Sequence, residues 1–331
     1  MAKKIFITGA TGYIGQKLAL YLANNGHCIH ALVQNLEKGK TLLRHPNINL
    51  FQGSILDIAT ISKAMQGCNE AYHLAALASV WNKDSTLFEQ VNVGGLKNVL
   101  DCCLETNIKN IVFTSTAGVV GHSVNNEPVS ETTNSNPRLE TLYERSKLKA
   151  ELILKSYVDR GLRAIIVNPS RVYGPGLLTE SNGFSRLIKM YLAGKWKIIP
   201  CNGDGIGNYV YIDDVIHGLT LAMDHAKPGE RYLLGGEDVS YNEFFSTLEK
   251  LSGVYKPLYK VPFSVLLFLA HIQLAVANTA GRPPLITPPF VRKYTKNWLV
   301  SSEKAKHELG YRITPFREGL EKTLIWMDQQ S

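Results

Sequence analysis

Two groups of residues in this chain could do chemistry together. Tyr143 and Lys147 stand four apart in Tyr143-Glu144-Arg145-Ser146-Lys147, and an N-terminal run reads Ile5-Phe6-Ile7-Thr8-Gly9-Ala10-Thr11-Gly12-Tyr13-Ile14-Gly15. A free tyrosine, with a pKa of about 10, is a poor proton shuttle at neutral pH. A neighbouring ammonium and an oxidised nicotinamide ring both favour the phenolate, which makes such a pair a tunable proton donor. Lys147 can also donate to the nicotinamide ribose hydroxyls. The three glycines divide the work of a dinucleotide site. Gly9 permits a tight turn, Gly12 lets backbone approach a pyrophosphate, and Gly15 allows a helix to pack closely on a strand. Each half is weak alone. In this order they specify hydride transfer at a carbon–oxygen bond.

That chemistry needs a strand before the glycines, a helix after them and a second helix carrying Tyr143 and Lys147 on one face. Short apolar runs at 4–8, 29–33, 49–51, 71–74, 111–114 and 164–167 read as buried strands. Helical spacing over 13–25, 57–66, 86–106 and 142–160 alternates with them. This alternation predicts an α/β fold, a Rossmann-type doubly wound parallel sheet covered on both faces. The helix opening at residue 13 would turn its N–H groups and positive dipole end toward phosphates. The strand at 111–114 runs into Ser115-Thr116-Ala117-Gly118, so a hydroxyl at its carboxyl end could hydrogen-bond a substrate oxygen.

After Pro169 the rhythm shortens. Gly174-Pro175-Gly176, Asn202-Gly203-Asp204-Gly205 and Gly235-Gly236 punctuate it, and 283–289 is rich in proline. A helix over 212–224 reads as returning to the sheet. The expected division is a Rossmann domain of 1–170 plus about 208–230, with a smaller, mostly helical substrate lobe from about 171–207 and 230–331. Residues 261–281 contain no Asp, Glu, Lys or Arg, but His271, Gln273, Asn278 and Thr279 interrupt them. A spanning helix needs about 20 predominantly apolar residues. The stretch reads as a buried or pocket-lining helix of the small lobe, with peripheral membrane contact as the alternative.

The bulk composition excludes other classes. With 45% hydrophobic and 19% charged residues the 331-residue chain has the make-up of a folded soluble protein rather than a disordered one. Its net charge of +8 is scattered, with neither a basic block nor an aromatic platform for nucleic acid. Cys28, Cys68, Cys102, Cys103 and Cys201 are odd in number and lack ligand spacing, so no metal site or disulfide framework is expected. The N-terminus lacks a signal-peptide pattern, which places the expected protein in the cytoplasm.

An acid about 20 residues beyond the glycines would hold the adenosine ribose 2′-hydroxyl and favour NAD. Here the second strand ends in Val33-Gln34-Asn35, with Lys38, Lys40 and Arg44 following and Glu37 the nearby acid. A neutral or basic surround tolerates a 2′-phosphate, so NADP(H) is expected over NAD(H).

Over essentially its whole length the chain resembles the extended short-chain dehydrogenases/reductases. The resemblance rests on the glycine segment, the Tyr143/Lys147 pair, His73-Leu74-Ala75-Ala76, and Asn92 in Val91-Asn92-Val93-Gly94-Gly95. Pro169-Ser170-Arg171-Val172-Tyr173-Gly174-Pro175-Gly176, the 209–215 junction with Asp213 and Asp214, and Lys306-His307-Glu308-Leu309-Gly310-Tyr311 complete it. By this resemblance the third catalytic residue is Thr116, with Ser115 beside it as the fallback. Asn92 would brace the cofactor region. Cofactor contacts would fall on Gly9, Thr11, Gly12, Tyr13, Ile14, Gly15, Gln34, Ser54, Ile55, Leu74, Ala75, Ala76, Lys147, Pro169, Ser170 and Val172. Many relatives carry an acid after the glycine of the third-strand turn, where this chain reads Gly53-Ser54-Ile55. A homodimer packed through the helices at 86–106 and 142–160 is the family's usual arrangement.

Within such a family reductases and nucleotide-sugar epimerases share the triad and differ in the small lobe. Sugar-nucleotide enzymes usually carry a diphosphate-gripping Arg before the late Asp-Asp junction. Here Gly207 stands in that place, with Arg282 and Arg186 as candidates to substitute. The apolar stretches at Leu178, 263–269 and 285–290 suggest an apolar pocket, similar to the dihydroflavonol-reductase and 3β-hydroxysteroid-dehydrogenase branch. The expectation is NADP(H)-linked reduction of a ketone or aldehyde on a hydrophobic small molecule. The alternatives are a nucleotide-sugar epimerase or dehydratase with tightly held NAD, and a non-catalytic NADP-sensing protein.

Overall fold

The computed structural model describes residues 2–133 and 139–330. Strand β1 (Lys4–Thr8) leads through the glycine turn into α1 (Tyr13–Asn24). Then come β2 (Cys28–Val33), α2 (Leu36–Leu42), β3 (Ile48–Gln52), α3 (Ile58–Met65) and β4 (Glu70–His73). A single helical turn α4 (Leu87–Glu89), a π-helical segment (Gln90–Gly94) and α5 (Gly95–Glu105) precede β5 (Asn110–Thr114). Helix α6 (Leu142–Val158) and β6 (Arg163–Pro169) follow. The remainder holds β7 (Arg171–Tyr173), α7 (Gly183–Leu192), β8 (Ile198–Pro200), β9 (Ile206–Tyr211), α8 (Ile212–His225), β10 (Arg231–Leu234) and β11 (Glu237–Ser240). The chain closes with α9 (Tyr241–Ser252), β12 (Tyr259–Val261), α10 (Phe263–Ala280), α11 (Pro288–Tyr294), α12 (Glu303–Leu309) and α13 (Phe316–Asp328).

Seven parallel strands lie in the order β3-β2-β1-β4-β5-β6-β10. The strands read as continuous apolar runs because both faces are covered. Ile5, Ile7, Ile29, Ala31, Ile165 and Val167 pack on the α1/α8 side, while Phe6, Leu32, Ala71, Ile111, Phe113 and Ile166 pack on the α3/α5/α6 side. The order reverses between β1 and β4, which opens a crevice at their carboxyl ends where dinucleotides bind in such sheets.

The structure departs from the sequence expectation in four places. Helix α2 was absent from the predicted elements. It forms because Asn35 caps it by accepting from the Lys38 N–H (2.8 Å), while Gly39 keeps its middle bare against Val33 and Leu50. The single helix expected over 86–106 is interrupted by the π turn. Strand β10 belongs to the large sheet and extends that domain's second segment beyond 230. The small lobe is mostly helical as expected, and it also contains two sheets, a mixed three-stranded one (β11-β9-β7) and a parallel pair (β12-β8).

Polar contacts fasten the late junction and the C-terminal signature to the rest of the fold. Asp213 pairs with Lys17 on α1 (2.6 Å), Asp214 accepts from the N–H and hydroxyl of Thr314 (2.8 and 2.7 Å), and the Tyr311 hydroxyl donates to the Gly235 carbonyl (2.9 Å). These bonds account for the late Asp-Asp junction and the C-terminal signature as structural fastenings. Helix α10 overturns its expected burial: Leu266, Ala270 and Ala277 are its buried residues, and Phe268 is 64% exposed.

Candidate active site

The glycine turn meets its backbone at close range. Gly9 adopts φ +73°, and a Cβ there would lie 2.6 Å from the Ala75 nitrogen. A Cβ on Gly15 would lie 2.2 Å from the Gly9 carbonyl oxygen, so the start of α1 can sit on the end of β1 only without a side chain. Gly12 donates to that carbonyl (2.9 Å) and occupies the N-cap of α1, with no side-chain cap and no acid in the first turn. The first N–H groups of α1 are thus left to an anion, which fits a cofactor pyrophosphate. Tyr13 turns its side chain away from the turn, buried and donating to the Gly174 carbonyl (3.0 Å). Its contribution, like those of Thr11 and Ile14, would come from the main chain.

The neighbouring strand ends complete the cradle. The Thr8 hydroxyl shares a hydrogen bond with His73 Nδ1 (2.8 Å) and accepts from the Ala75 N–H (3.2 Å), fixing Leu74-Ala75-Ala76 beside the turn. Burial, and then the charge of Lys147, push His73 down to about 3, so its imidazole is neutral. Gln34 is exposed at the end of β2. Ser54 Oγ accepts from the Leu56 N–H (3.2 Å), whereas Ile55 buries its side chain against Gly95. Beyond β6, Ser170 donates its N–H to the Leu234 carbonyl (3.1 Å), and its enclosed hydroxyl has no hydrogen-bond partner among the described residues.

Helix α6 brings Tyr143 and Lys147 against the end of β5. Thr141 and Glu144 form a reciprocal capping box that fixes where the helix starts, and hence which face carries the pair. Lys147 is 1% exposed. Its Nζ donates to the Thr114 carbonyl (2.6 Å) and lies 4.2 Å over the Phe113 ring. Burial pushes its pKa down to about 7, opposed by Glu151. Burial, and then Glu144, push Tyr143 up from its ordinary value. Desolvation therefore moves the two groups in opposite directions, the tyrosine upward and the lysine downward. Thr116 is half-buried and caps the short helix that follows β5, its hydroxyl accepting from the Gly118 N–H (3.2 Å) and keeping its own hydrogen free to donate. Ser115 is buried more deeply.

Several supporting residues lay outside the sequence reading. Asn168 donates both to the Thr116 carbonyl (2.9 Å) and to Glu151 Oε1 (2.7 Å), and Glu151 in turn pairs with Arg231 on β10. Asn92, singled out as a brace, sits in the π turn. It accepts from the Leu77 N–H (2.7 Å) and donates to Ser146 Oγ (2.8 Å), tying the segment after β4 to α6. Single π turns of this kind recur at functional sites.

Arg171 resolves the puzzle of Gly207. A Cβ on Gly207 would lie 1.9 Å from Arg171 Nη1. The guanidinium therefore fills the space into which residue 207 would project. Phe184, Tyr209, Tyr241 and Tyr294 surround it, and it donates to the Tyr209 hydroxyl (3.3 Å). Arg186 and Arg282 are exposed. Residue 171 stood within the quoted 169–176 stretch, but the signal that would have found it is its register opposite Tyr209 across β7 and β9. Beside the start of α6, a cleft of about 290 Å³ is lined by Glu140, Phe263, Leu267, Arg292, Thr295 and Lys296.

This parallel sheet, with its glycine turn at the switch point and a half-buried Tyr143 beside a buried Lys147 on the adjoining helix, defines a nicotinamide-nucleotide-dependent enzyme. Residues 5–235 match the NAD dependent epimerase/dehydratase family, and the chain belongs to that family, within the extended short-chain dehydrogenases/reductases. It is similar to a Synechocystis sp. protein named dihydroflavonol 4-reductase, 28% identical over 331 residues that cover 98% of this chain and 95% of the relative. A 3β-hydroxysteroid dehydrogenase/Δ5→4-isomerase from Mycobacterium tuberculosis is 27% identical over 325 residues, 93% of this chain and 85% of the relative. Among solved structures, UDP-glucuronic acid 4-epimerase from Bacillus cereus, in complex with UDP-glucuronic acid and NAD, superposes with a TM-score of 0.78. It is 26% identical, and the match covers 99% of this chain and 100% of that one.

Proposed function

We propose that this enzyme reduces, reversibly and with NADP(H), a ketone or aldehyde on a hydrophobic small molecule. The observation that carries the reading is the sequestration of Arg171. Where a nucleotide-sugar enzyme would present a diphosphate clamp, this chain has Gly207 beneath a guanidinium caged by aromatic rings. Such a wall suits apolar substrate better than a diphosphate. The two relatives, by their names, act on a flavonoid and a steroid, which supports the same substrate class.

The roles follow from the environments. A bound nicotinamide would supply hydride chemistry. Tyr143, held protonated by burial, gives its proton to the substrate oxygen, and the Thr116 hydroxyl orients that oxygen by donating a hydrogen bond. Lys147, anchored on the Thr114 carbonyl, keeps its remaining donors for ribose hydroxyls. The exposed Gln34, with Lys38 on α2, gives a 2′-phosphate a neutral to basic seat.

One observation favours a second reading. Arg171 Nη2 is enclosed without a hydrogen-bond partner among the described residues, and a substrate that opened the aromatic cage would find a donor waiting. That would suit a nucleotide sugar with retained NAD. Identifying any nucleotide that co-purifies, together with an NADPH-oxidation screen over ketones and aldehydes, decides between the two. For the catalytic assignment, Tyr143→Phe is expected to bind NADPH within about threefold of wild type and to lose roughly 10²–10⁴-fold in kcat. Full activity in that variant would refute it.

A further inference from the structure

Helix α10 has a face that the fold does not use. Its eighteen residues are long and apolar enough, by length and composition, to cross a membrane, yet only 17% of them are buried. Leu266, Ala270 and Ala277 hold it to the lobe beside Val291. On the other side Val265, Phe268, Leu269, Ile272 and Val276 are exposed. Leu285, in the loop just beyond, is 78% exposed and extends that face. Isolated exposed apolar residues are ordinary, but a contiguous set on one helix marks an interaction surface.

The polar residues that interrupt the helix do not dilute this face. Gln273 Oε1 accepts from the Leu285 and Ile286 N–H groups (3.0 and 3.3 Å), Asn278 accepts from Trp81 Nε1 (3.3 Å), and the Thr279 hydroxyl returns to the Ala275 carbonyl (3.2 Å). Each satisfies a bond inside the protein. His271 and Ser264 are exposed.

Charge identifies the partner. Between Glu249 and Glu303 the chain has no Asp or Glu, but it has Lys250, Lys256, Lys260, Arg282, Arg292, Lys293 and Lys296. Those 53 residues thus carry seven of the molecule's net eight positive charges, leaving the other 278 nearly neutral. Lys293 is committed to Glu144 (2.6 Å), while Lys260 and Arg282 bracket the helix in exposed positions. An identical copy would bring cations against cations across a two-fold contact. A surface of negative headgroups over hydrocarbon matches both the charge and the apolar face.

We propose that α10 docks this protein peripherally on an anionic lipid bilayer, lying in the plane of the interface with its 265–276 outer face in the acyl boundary. The hydrogen bonds to Trp81 and to the 285–286 loop keep the helix attached to the lobe, so it lies on the membrane rather than spanning it. Phe263 and Leu267, on the opposite side of the same helix, line the cleft beside α6. Docking does not depend on the reductase reading.

The test is sedimentation of the full-length protein with vesicles of phosphatidylcholine alone or with one third phosphatidylglycerol. Wild type is expected to bind the anionic vesicles at least tenfold more tightly than the neutral ones. It should be released at about 1 M NaCl, where charges are screened beyond roughly 3 Å. The double variant Phe268→Glu/Ile272→Glu, checked as folded by an unchanged NADPH affinity, should lose at least tenfold in anionic-vesicle binding. The proposal fails if wild type stays in solution with anionic vesicles, or if the variant binds as wild type does. It fails equally if wild type is an oligomer that the variant dissociates, since α10 would then be covered by a second copy.

Discussion

The glycine turn after β1 and the helix α10 impose opposite rules on side chains. In the turn, the chain's own backbone forbids them: a Cβ on Gly9 or Gly15 would lie within 2.6 Å of main-chain atoms. On α10, large apolar side chains stand in the open because no described residue covers them. The first region is determined by internal contacts and the second by whatever lies outside the molecule. Their difference separates a cradle that is enclosed and specified residue by residue from a surface that is specified by composition and charge.

The strongest way to break this contrast is to put one methyl group into the turn. Gly15→Ala forces the Gly9 carbonyl or the start of α1 to move, since backbone rather than a flexible side chain blocks the space. A destabilisation of about 2–3 kcal/mol is expected from overpacking of this kind. NADPH affinity should fall roughly 100-fold as the α1 N–H groups lose their aim, in line with about 2.7 kcal/mol. Urea unfolding and a fluorescence titration with NADPH measure the two effects. An alanine tolerated on both counts would mean that the turn is not the rigid cradle described above.

Much of the enclosed region was legible in the sequence for the same reason. Strands such as Ile5-Phe6-Ile7 are apolar at every position because alternate residues feed different cores, so the run itself announces a covered parallel strand. The glycines were legible because no other residue fits. What escaped was structure set by distant partners or by small changes of pitch. The π turn at Asn92 keeps an apolar pattern that looks like ordinary helix. Helix α2 hid behind Gly39, whose bareness is demanded by Val33 and Leu50. Arg171 could not be placed over Gly207 from one sequence, because that contact exists only once β7 pairs with β9. Helix α10 was left between a buried or pocket-lining place and the membrane surface, because a helix apolar all round has the same composition whether protein or lipid covers it.

A smaller effect sharpens the contrast inside the site. Lys147 is held at a pKa of about 7 in the folded protein against an ordinary value of 10.5. Below about pH 7 both folded and unfolded chains carry the proton, and the full penalty of burying the charge is present. Between about 7 and 10.5 the unfolded chain keeps the proton that the folded one has released, so this residue's contribution to stability rises with pH. Wild type should therefore gain stability relative to Lys147→Met from pH 7 to 9, by about 1–3 kcal/mol given roughly 1.4 kcal/mol per unit. Unfolding midpoints of the two proteins at pH 7, 8 and 9 test this. Parallel lines would mean that Lys147 is solvated in the folded state and not enclosed like the turn beside it.

The smallest expected effect lies on α10. Phe268→Ser removes a large apolar side chain, and in a core such a truncation costs about 3–5 kcal/mol. At 64% exposure Phe268 touches little of its own chain, so the free protein should change by no more than about 0.5 kcal/mol. A loss above about 2 kcal/mol in urea unfolding of the lipid-free protein would show that the outer face is already packed against something in solution. The two regions would then follow one rule rather than two. A near-zero change, with vesicle binding reduced in the same variant, separates what the fold requires from what the surface is for.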